Sequence, residues 1–405
     1  MRERLAIRAP RVFDGERMRG AALVLVDGGR ITAVDTTCAF PPEDARVIEL
    51  GPGTTLLPGL IDCHTHLALD ATPDCVANVT TVDDDTLLEQ MEQRAASALR
   101  VGVTTMRDLG DRGFLSLILA RRAHAVDGQL LPEILAAGPP ITTPAGHFAM
   151  LGSEAAGADA LRAKVRERAE RGCQWVKVMA SGGNLSPQTR PWESQYSLED
   201  LRVIVDEAHR HGLRAAAHAH GAAACADTTD AGFDTVEHAT FFTVDGVALD
   251  PAVVERMAAR GTFVSLTAGM VPGGPPPPPA IAQRLPKITE NALTIHRSGV
   301  RVVLGPDSGA TPRKPHNVLP YAIVQTIGIG LAATEALRSA TSLAAEALGL
   351  PGRKGRVAAG ADADLLVVNG DPTTDPAAIH QVAAVLRAGR FAVPLATVPS
   401  TPSPA

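Results

Sequence analysis

The sequence predicts an α/β protein: a (β/α)8 TIM barrel with a small β-sandwich domain formed by both chain ends. Two observations support this fold class. Eight short apolar runs alternate with longer helical segments through the middle of the chain. Alternating strands and helices indicate a parallel sheet, and eight such units indicate a barrel. Segments rich in β-branched residues also occur at both ends of the chain, which favours a separate small sheet domain.

The small domain is predicted from two separate stretches. Its N-terminal part covers residues 1–57, where β-branched segments are separated by Asp-Gly, Gly-Gly and Pro-Gly pairs that are typical of turns. Its C-terminal part covers residues 349–393, where the same composition returns in GRVAAGADADLLVV and QVAAVLRAGRFAV. Residues 394–405 are rich in proline and serine and are predicted to be a disordered tail.

The barrel is predicted over residues 58–348. Its strands are the runs GLIDCHTHL, GVTTMRDLG, EILAAGP, WVKVMASGG, LRAAAHAHG, DTVEHAT, TFVSLTAG and VRVVLGPDSG. Helical patterns such as ALRAKVRERAERG lie between most of them. The stretch PGGPPPPPA at 272–280 follows the seventh run. It is interpreted either as a plain connector or as a wall of the active-site mouth.

Composition and charge exclude several classes of protein. Hydrophobic residues make up 45% and charged residues 20%, which is ordinary for a globular protein. The net charge of −6 offers no basic surface for nucleic acid or an anionic membrane. The start of the chain lacks the apolar segment of a secretory signal, no apolar run is long enough to span a membrane, and the five cysteines do not form a disulfide framework. We expect a cytoplasmic protein.

Unusual polar residues occur near the C-terminal ends of six runs, which is where barrel enzymes place their active sites. They are, in chain order, His64 and His66, Arg107 and Asp108, Lys177, His218 and His220, Glu237 and His238, and Asp307. Arg107 and Asp108 are assigned only a supporting role. The histidines, the lysine and the final aspartate should converge on one point. Burying them together would be costly unless a metal cluster compensated them.

Each of these residues alone has an ordinary explanation, such as a surface histidine, a turn aspartate or a lysine that reaches solvent. Their joint pattern favours a metal site. Histidine and aspartate suit Zn²⁺, which is our first choice, and also Mn²⁺, Co²⁺ or Fe²⁺. A buried lysine can lose its proton. The neutral amine can then add CO₂, and the resulting carbamate has two oxygens that can bridge two metals. Cys63 should point away from the histidines and is not counted as a ligand.

The signature PGLIDCHTHL at 58–67, followed by Lys177, His218, His238 and Asp307 on successive runs, resembles the amidohydrolase superfamily. The resemblance covers nearly the whole chain and implies the binuclear-metal subtype with a carbamylated lysine. His64, His66 and Asp307 would then hold the more buried of two divalent metal ions, and His218 and His238 would hold the second. N6-carboxylysine at Lys177 would bridge them. A metal-bridging hydroxide would be the nucleophile, and Asp307 would be the general base and then the general acid.

Within the superfamily, the segments KVMASGG, AHAHG and ITTPAGHF are most similar to the Xaa-Pro dipeptidase (prolidase)-like and ochratoxinase-like branch. Imidazolonepropionase is a more distant relative. This resemblance implies cleavage of a small-molecule amide that releases an amino acid, either a dipeptide or an N-acyl amino acid. It also implies that the protein forms a homo-oligomer.

The same branch suggests four substrate-binding residues: His147, His220, Tyr196 and Arg190. His147 and His220 match positions near the substrate in this branch. Tyr196 and Arg190 belong to the segment 181–196, where a wall of the substrate site is expected. Arg190 could pair with a substrate carboxylate, and a purely structural role for it is equally open.

Other functions stay open at this point. The same ligands could cleave a cyclic amide, an aryl carbamate or an organophosphate ester, because fold and metal chemistry do not determine the substrate. An inactive amidohydrolase-fold binding protein is disfavoured, since all six expected ligands are present. A dinucleotide site at 328–333 (G-x-G-x-x-A) is also disfavoured, because a helical stretch follows it. No G-x-S-x-G motif of a serine hydrolase occurs.

Overall fold

The computed structural model describes residues 3–37, 40–123, 128–277 and 279–395. The structure combines β-strands and α-helices throughout, so the predicted α/β class is confirmed. Residues 396–405, which make up most of the predicted tail, lie outside the described residues.

The strands are β1 Leu5–Ala9, β2 Val12–Phe13, β3 Met18–Arg19, β4 Ala22–Asp27, β5 Arg30–Asp35, β6 Arg46–Glu49, β7 Thr54–Pro58, β8 Leu60–Thr65, β9 Val103–Asp108, β10 Glu133–Ala136, β11 Trp175–Met179, β12 Arg214–Gly221, β13 Thr235–Phe242, β14 Phe263–Leu266, β15 Arg301–Leu304, β16 Leu365–Asn369, β17 Val382–Arg387 and β18 Arg390–Val393. The α-helices are α1 Cys75–Thr81, α2 Asp84–Arg100, α3 Leu115–Arg122, α4 Ala158–Arg171, α5 Leu198–Arg210, α6 Ala222–Ala231, α7 Pro251–Arg260, α8 Pro279–Ala282, α9 Leu285–Arg297, α10 Leu319–Gly328, α11 Ala333–Ser339 and α12 Ser342–Ala347. Two 3₁₀ helices lie at Ala149–Leu151 and Pro376–His380.

Each of the eight predicted apolar runs contains one strand, from β8 to β15. β8, β9 and β10 form one parallel sheet, and β11 to β15 form a second parallel sheet in sequential order. At least one helix lies between each pair of successive strands. Almost every residue of these strands is buried, as expected when helices cover a parallel sheet.

Hydrogen bonds join the two parallel sheets at both edges. The amide of Asp307, after β15, donates to the carbonyl of His64 in β8 at 2.9 Å. At the other edge, the amide of Ile141, after β10, donates to the carbonyl of Lys177 in β11 at 2.8 Å. The predicted residues His64 and Asp307, from the first and eighth runs, are therefore linked directly through the backbone, and Lys177 of the fourth run is linked to the segment after the third run.

Helix α5 illustrates how the sequence positions these strands. The Ser197 hydroxyl accepts a hydrogen bond from the amide of Asp200 at 3.1 Å, so it caps the N-terminus of the helix. Leu201, Ile204 and Ala208 follow at helical spacing and are buried. This apolar face packs against β12 and the neighbouring helices. It thereby fixes the strand that carries His218.

The two chain ends form two further sheets, with strand orders β5-β4-β1-β6 and β18-β17-β16-β7-β2-β3. β7 from the N-terminal part pairs antiparallel with β16 from the C-terminal part, with Leu57 opposite Leu366. One hydrophobic cluster includes Ile7 of the first sheet and Leu56 and Leu365 of the second. Both ends of the chain therefore share a sheet and a hydrophobic core.

The structure also locates two other segments noted in the sequence, the G-x-G-x-x-A segment and the proline-rich region. The G-x-G-x-x-A segment at 328–333 joins α10 to α11 and so lies between two helices. Residues 271–277 of the proline-rich region contain no helix or strand, and Val271 exchanges hydrogen bonds with Arg313 in the loop after β15. Within the described residues, no helix combines the length and the apolar character that crossing a membrane requires.

Candidate metal centre

The structure brings the six predicted metal ligands together at the C-terminal ends of the strands. They are His64 in β8, Lys177 in β11, His218 in β12, His238 in β13, His66 directly after β8 and Asp307 after β15. Five of these six residues, all except Lys177, belong together with His220 to two groups whose ring nitrogens and carboxylate oxygens lie within 4.8 Å of one another.

The first group consists of His64, His66 and Asp307. The two Nε2 atoms lie 3.3 Å apart, and each lies 3.4 Å from Oδ1 of Asp307. Both histidines are fully buried, whereas the Asp307 side chain is 20% exposed. Two imidazole nitrogens and a carboxylate oxygen therefore point at one another from two neighbouring strand ends.

The second group consists of His218, His220 and His238. Nδ1 of His218 lies 3.0 Å from Nε2 of His238. The rings of His220 and His238 stack with centroids 4.1 Å apart. The sequence assigned His220 to the substrate, and the structure also brings a ring nitrogen of this residue into the histidine group.

Lys177 is fully buried next to the first group. Its Nζ lies 3.3 Å from Nε2 of His64. Burial lowers the pKa of Lys177 to about 8, although Glu237 and Asp307 act in the opposite direction. The neutral amine is therefore much more accessible here than on a solvated lysine.

Left-handed backbone turns two ligands toward the centre. His238 has φ = +70° and Asp307 has φ = +65°, a region that residues with a side chain rarely adopt. On a regular strand, His238 would point away from the face that carries Glu237. The unusual φ lets both neighbours serve the same centre. Backbone strain of this kind is concentrated at functional sites.

Fixed partners orient the outward nitrogen of each of three ligand histidines. Nδ1 of His66 lies 3.1 Å from the carbonyl oxygen of Gly110, and Nε2 of His218 lies 3.1 Å from that of Gly182. Nδ1 of His238 lies 3.1 Å from the hydroxyl of Thr267. A hydrogen bond from the outward nitrogen leaves the inward nitrogen as a free lone pair, which is the form that binds a metal ion.

A buried ion pair between Arg107 and Glu237 lies beside His64. The role of Glu237 was not predicted from the sequence. The guanidinium of Arg107 donates to Oε1 of Glu237 at 2.8 Å and to the carbonyl of Cys63 at 2.7 Å. Oε2 of Glu237 lies 3.1 Å from Nδ1 of His64, although the two atoms are not aligned as a hydrogen bond. Burial favours the neutral acid, yet Arg107 and His64 hold the pKa of Glu237 well below its usual range.

Asp108, the other residue of the predicted supporting pair, holds the backbone around His66. It accepts hydrogen bonds from the amides of Leu67 at 2.8 Å and Gly110 at 3.1 Å. The sequence did contain a signal for Glu237. It alternates with Thr235 on β13, so both lie on the same face of the strand, where a buried charge needs a partner such as Arg107.

The donor set fits divalent metal ions. Burial lowers the pKa of His66 to about 3 and of His220 to about 4, and it holds the pKa of His64, His218 and His238 below the usual value. These imidazoles are therefore neutral near pH 7. Where two ring nitrogens face each other, at most one proton can lie between them, so a hydrogen bond uses the lone pair of only one nitrogen. A metal ion between them accepts the lone pairs of both nitrogens.

The other predicted substrate residues differ in position. His147 is buried, its Nδ1 lies 3.1 Å from the Ser186 hydroxyl, and its ring centroid lies 4.8 Å from that of His218. Tyr196 is 5% exposed, and its hydroxyl donates to the carbonyl of Ala155 at 2.8 Å. Arg190 is exposed and donates to carbonyls of its own loop. The structure thus brings His147 to the centre, while the polar groups of Tyr196 and Arg190 are used elsewhere.

The sequence profile of the amidohydrolase family matches residues 55–392, which is most of the chain. The chain belongs to the amidohydrolase family. Ochratoxinase from Aspergillus niger is 29% identical to this amidohydrolase over 408 aligned positions, which cover 89% of the chain and 80% of ochratoxinase. Imidazolonepropionase from Cupriavidus pinatubonensis (strain JMP 134 / LMG 1197) is 28% identical over 388 positions, which cover 86% of the chain and 83% of that enzyme.

A solved structure of a Xaa-Pro dipeptidase with methionine bound in its active site superposes on this amidohydrolase with a TM-score of 0.85. The two chains are 25% identical, and the match covers 96% of this chain and 99% of the dipeptidase. Together with the family, these relatives identify a hydrolase that acts on C–N bonds, in the prolidase-like and ochratoxinase-like branch.

Proposed function

We propose that this amidohydrolase uses two divalent metal ions to cleave an amide bond and release an amino acid. The observation that carries the proposal is the pair of inward-facing histidine groups beside the buried amine of Lys177. His64, His66 and Asp307 would hold one ion, and His218 and His238 the other. We further propose that the eight parallel strands form one closed (β/α)8 barrel and that the chain-end sheets form a β-sandwich.

Zinc is the metal we propose, because a site of imidazole nitrogens and one carboxylate suits Zn²⁺. The donor types are also compatible with Mn²⁺, Co²⁺ and Fe²⁺. Lys177 would join both ions as N6-carboxylysine, since the lowered pKa of its amine favours the neutral form that adds CO₂. When bound, the two ions supply Lewis-acid activation of a water molecule and of the scissile carbonyl.

Asp307 would move the proton during the reaction. Its carboxylate lies 3.4 Å from both His64 and His66, yet 20% of its side chain is exposed. Burial favours the neutral acid, but His64, His66 and Lys314 hold the pKa of Asp307 below its usual value. Asp307 therefore starts as a carboxylate, can accept a proton and can return it to the leaving amine.

His147 and His220 would orient the substrate. Nδ1 of each ring is held by a hydroxyl group, that of Ser186 at 3.1 Å and that of Thr240 at 2.9 Å. Burial lowers the pKa of His147 to about 3, so its ring is neutral. A neutral, fixed imidazole offers one defined nitrogen to the substrate. His220 is also placed where it could complete the second metal site.

The relatives support an amide whose product is an amino acid. The named Xaa-Pro dipeptidase suggests a dipeptide, and ochratoxinase suggests an N-acyl amino acid. Hydrolysis of a cyclic amide is the second candidate, favoured by the similarity to imidazolonepropionase.

A mass-spectrometric screen tests the proposal. The metal-reconstituted protein is incubated with a mixed library of dipeptides and N-acyl amino acids. We expect selective loss of members with one kind of C-terminal residue: proline for a prolidase-like enzyme, phenylalanine for an ochratoxinase-like enzyme. No turnover by protein with confirmed bound metal would contradict the amino-acid-releasing reaction and direct the search to cyclic amides.

A further inference from the structure

Lys314 is a buried lysine in the loop after β15, close to the candidate metal centre. It is 8% exposed, and its Nζ donates to the carbonyl oxygens of Thr267 and Pro306, each at 2.6 Å. In the described part of the chain, Nζ forms no direct ion pair with a carboxylate, although the more distant charges of Asp307 and Asp62 favour its ammonium form. A buried ammonium group without a carboxylate partner is costly, so its retention requires an explanation.

Lys354, a second buried lysine, has different partners from those of Lys314. Lys354 is also buried, at 2% exposure, but three carboxylates surround its Nζ. They belong to Glu133 at 3.0 Å, Asp362 at 2.8 Å and Asp364 at 2.6 Å. Lys354 therefore has three directly paired carboxylates, whereas the direct partners of the Lys314 ammonium are two backbone carbonyls.

The two carbonyls that bind Lys314 belong to backbone segments of different metal-ligand groups. Pro306 directly precedes Asp307, a member of the first group. Thr267 follows β14, and its hydroxyl lies 3.1 Å from Nδ1 of His238, a member of the second group. The ammonium group of Lys314 therefore binds both the backbone next to Asp307 and the backbone of Thr267, the residue that contacts His238.

The loop that carries Lys314 is itself fixed. The amide of Gly309 donates to the carbonyl of Lys314 at 2.7 Å, and the amide of Lys314 donates to the carbonyl of Thr311 at 2.9 Å. Gly309 has φ = +98°, and a Cβ there would lie 2.5 Å from the carbonyl oxygen of His66. The loop thus packs directly against the backbone that carries the first group, so Nζ of Lys314 has a defined position.

We propose that Lys314 is a positioning residue that sets the placement of Asp307 relative to His238, and thereby the separation of the two metal positions. The inference deepens the proposed function and rests on it. Lys314 acts through the backbone carbonyls of Thr267 and Pro306 and through the Thr267 hydroxyl.

Three variants test the role. Lys314→Met removes both the charge and the donors at nearly constant length. Lys314→Gln keeps two N–H donors on a side chain one atom shorter, without the charge. Lys354→Met is the matched control, because it removes a buried lysine that is distant in the fold from the histidine groups. The readout is the affinity for Zn²⁺ in competition with a chelator, with thermal unfolding of the metal-free protein measured in parallel.

We expect Lys314→Met to weaken Zn²⁺ binding by about 10–100-fold, the usual cost of losing a group that orients a metal ligand. Lys314→Gln should bind at least threefold more weakly than the wild type and more tightly than Lys314→Met. Lys354→Met should lower Tm but leave the affinity within twofold of the wild type. If Lys314→Met does not fold, the same criterion applies to Lys314→Gln alone.

Affinities of both Lys314 variants within twofold of the wild type would overturn the positioning role, as would tighter binding on loss of the charge. A wild-type protein that binds no divalent metal would overturn both this inference and the proposed function. Metal binding that depends on Lys314 in a protein that cleaves no amide would support the positioning role and contradict only the proposed substrate.

Discussion

At the scale of single residues, burial determines the chemical form of the side chains in the centre. Desolvation lowers the pKa of Lys177 to about 8 and that of His66 to about 3. Neutral imidazoles bind metal ions, and a neutral amine adds CO₂. Asp307 behaves differently, because His64, His66 and Lys314 hold its pKa below the usual value despite burial. One desolvated site therefore holds neutral nitrogen ligands and an anionic proton acceptor together.

Lys177→Ala tests the bridging role. We expect this variant to lose metal and amide hydrolysis, because it lacks the amine that would form the proposed bridging carbamate. Short carboxylic acids added to the variant should restore part of both, since a carboxylate has the same two oxygens as a carbamate. Metal content by elemental analysis and the hydrolysis rate are the measurements. Lys287→Ala, at an exposed lysine paired with Glu290, is the control.

Full metal content and an unchanged rate in Lys177→Ala would show that Lys177 does not bridge. Full metal content with a lost rate would instead assign Lys177 to catalysis without a role in holding the ions.

The sequence could predict the ligand residues because each is a polar side chain in an apolar strand end. His64, Lys177 and Asp307 are all of this kind, and the structure places them together. The supports were harder to predict. Thr267 and Lys314 lie in loops, and their roles arise from contacts across 29 and 47 residues of chain. Local composition contains no signal for such pairs.

At the scale of elements, the loop between β11 and α5 contains two glycines that allow close backbone contacts near the candidate metal centre. A Cβ on Gly183 would lie 2.3 Å from Nε2 of His147, and a Cβ on Gly182 would lie 2.4 Å from the carbonyl oxygen of Arg190. Both distances are too short for any side chain. The loop therefore passes against His147 only because Gly183 lacks a side chain, and Gly182 allows the backbone of Arg190 to lie close to the same loop.

Gly183→Ala should displace the His147 ring while leaving the metal ligands in place. We expect kcat/KM to fall by about tenfold or more, since small displacements of orienting groups are costly. Metal content should not change. The matched control is Gly328→Ala, where a Cβ would meet nothing within 4 Å. Unchanged kcat/KM in Gly183→Ala would argue against a substrate role for His147, and loss of metal would argue that the loop supports the ligands instead.

The eight strands could be predicted from their apolar runs, but the local geometry at two strand ends could not. The pairing of β12 with β13 shifts register between Ala219 and Gly221. His238 then adopts a left-handed φ. Regular alternation cannot anticipate such irregularities, because neighbouring strands and the ligands themselves stabilise them.

At the scale of the whole molecule, a charged network links strand β10 to the C-terminal part of the chain. Glu133 in β10 pairs with Arg353 and with Lys354, and Arg387 in β17 lies 3.4 Å from the same carboxylate. Burial favours the neutral acid, but Arg353 and Lys354 lower the pKa of Glu133 to about 2. Glu133 therefore contributes to the stability of this network only while it is charged.

This lowered pKa predicts an acid-dependent loss of stability. The contribution of Glu133 is fully present above the ordinary pKa of 4.5 and is lost as the pH falls toward 2. A shift of this size corresponds to about 3 kcal/mol. Glu133→Gln should therefore destabilise the protein by about 3 kcal/mol at pH 7, with the difference from wild type shrinking between pH 5 and pH 2.

Denaturant unfolding at several pH values measures this difference. Glu290→Gln, at an exposed acid, is the control and should change stability by less than about 0.5 kcal/mol. A difference between Glu133→Gln and wild type that stayed constant from pH 7 to pH 3 would contradict the electrostatic role of Glu133.

The most direct test of the two-metal centre is to measure metal content and amide hydrolysis in the same samples. The protein is stripped with a chelator, and Zn²⁺ is then returned in known amounts. The proposed centre predicts that hydrolysis disappears on stripping, returns with added zinc and reaches its maximum near two ions per chain. Hydrolysis that continues at its full rate in metal-free protein would contradict it.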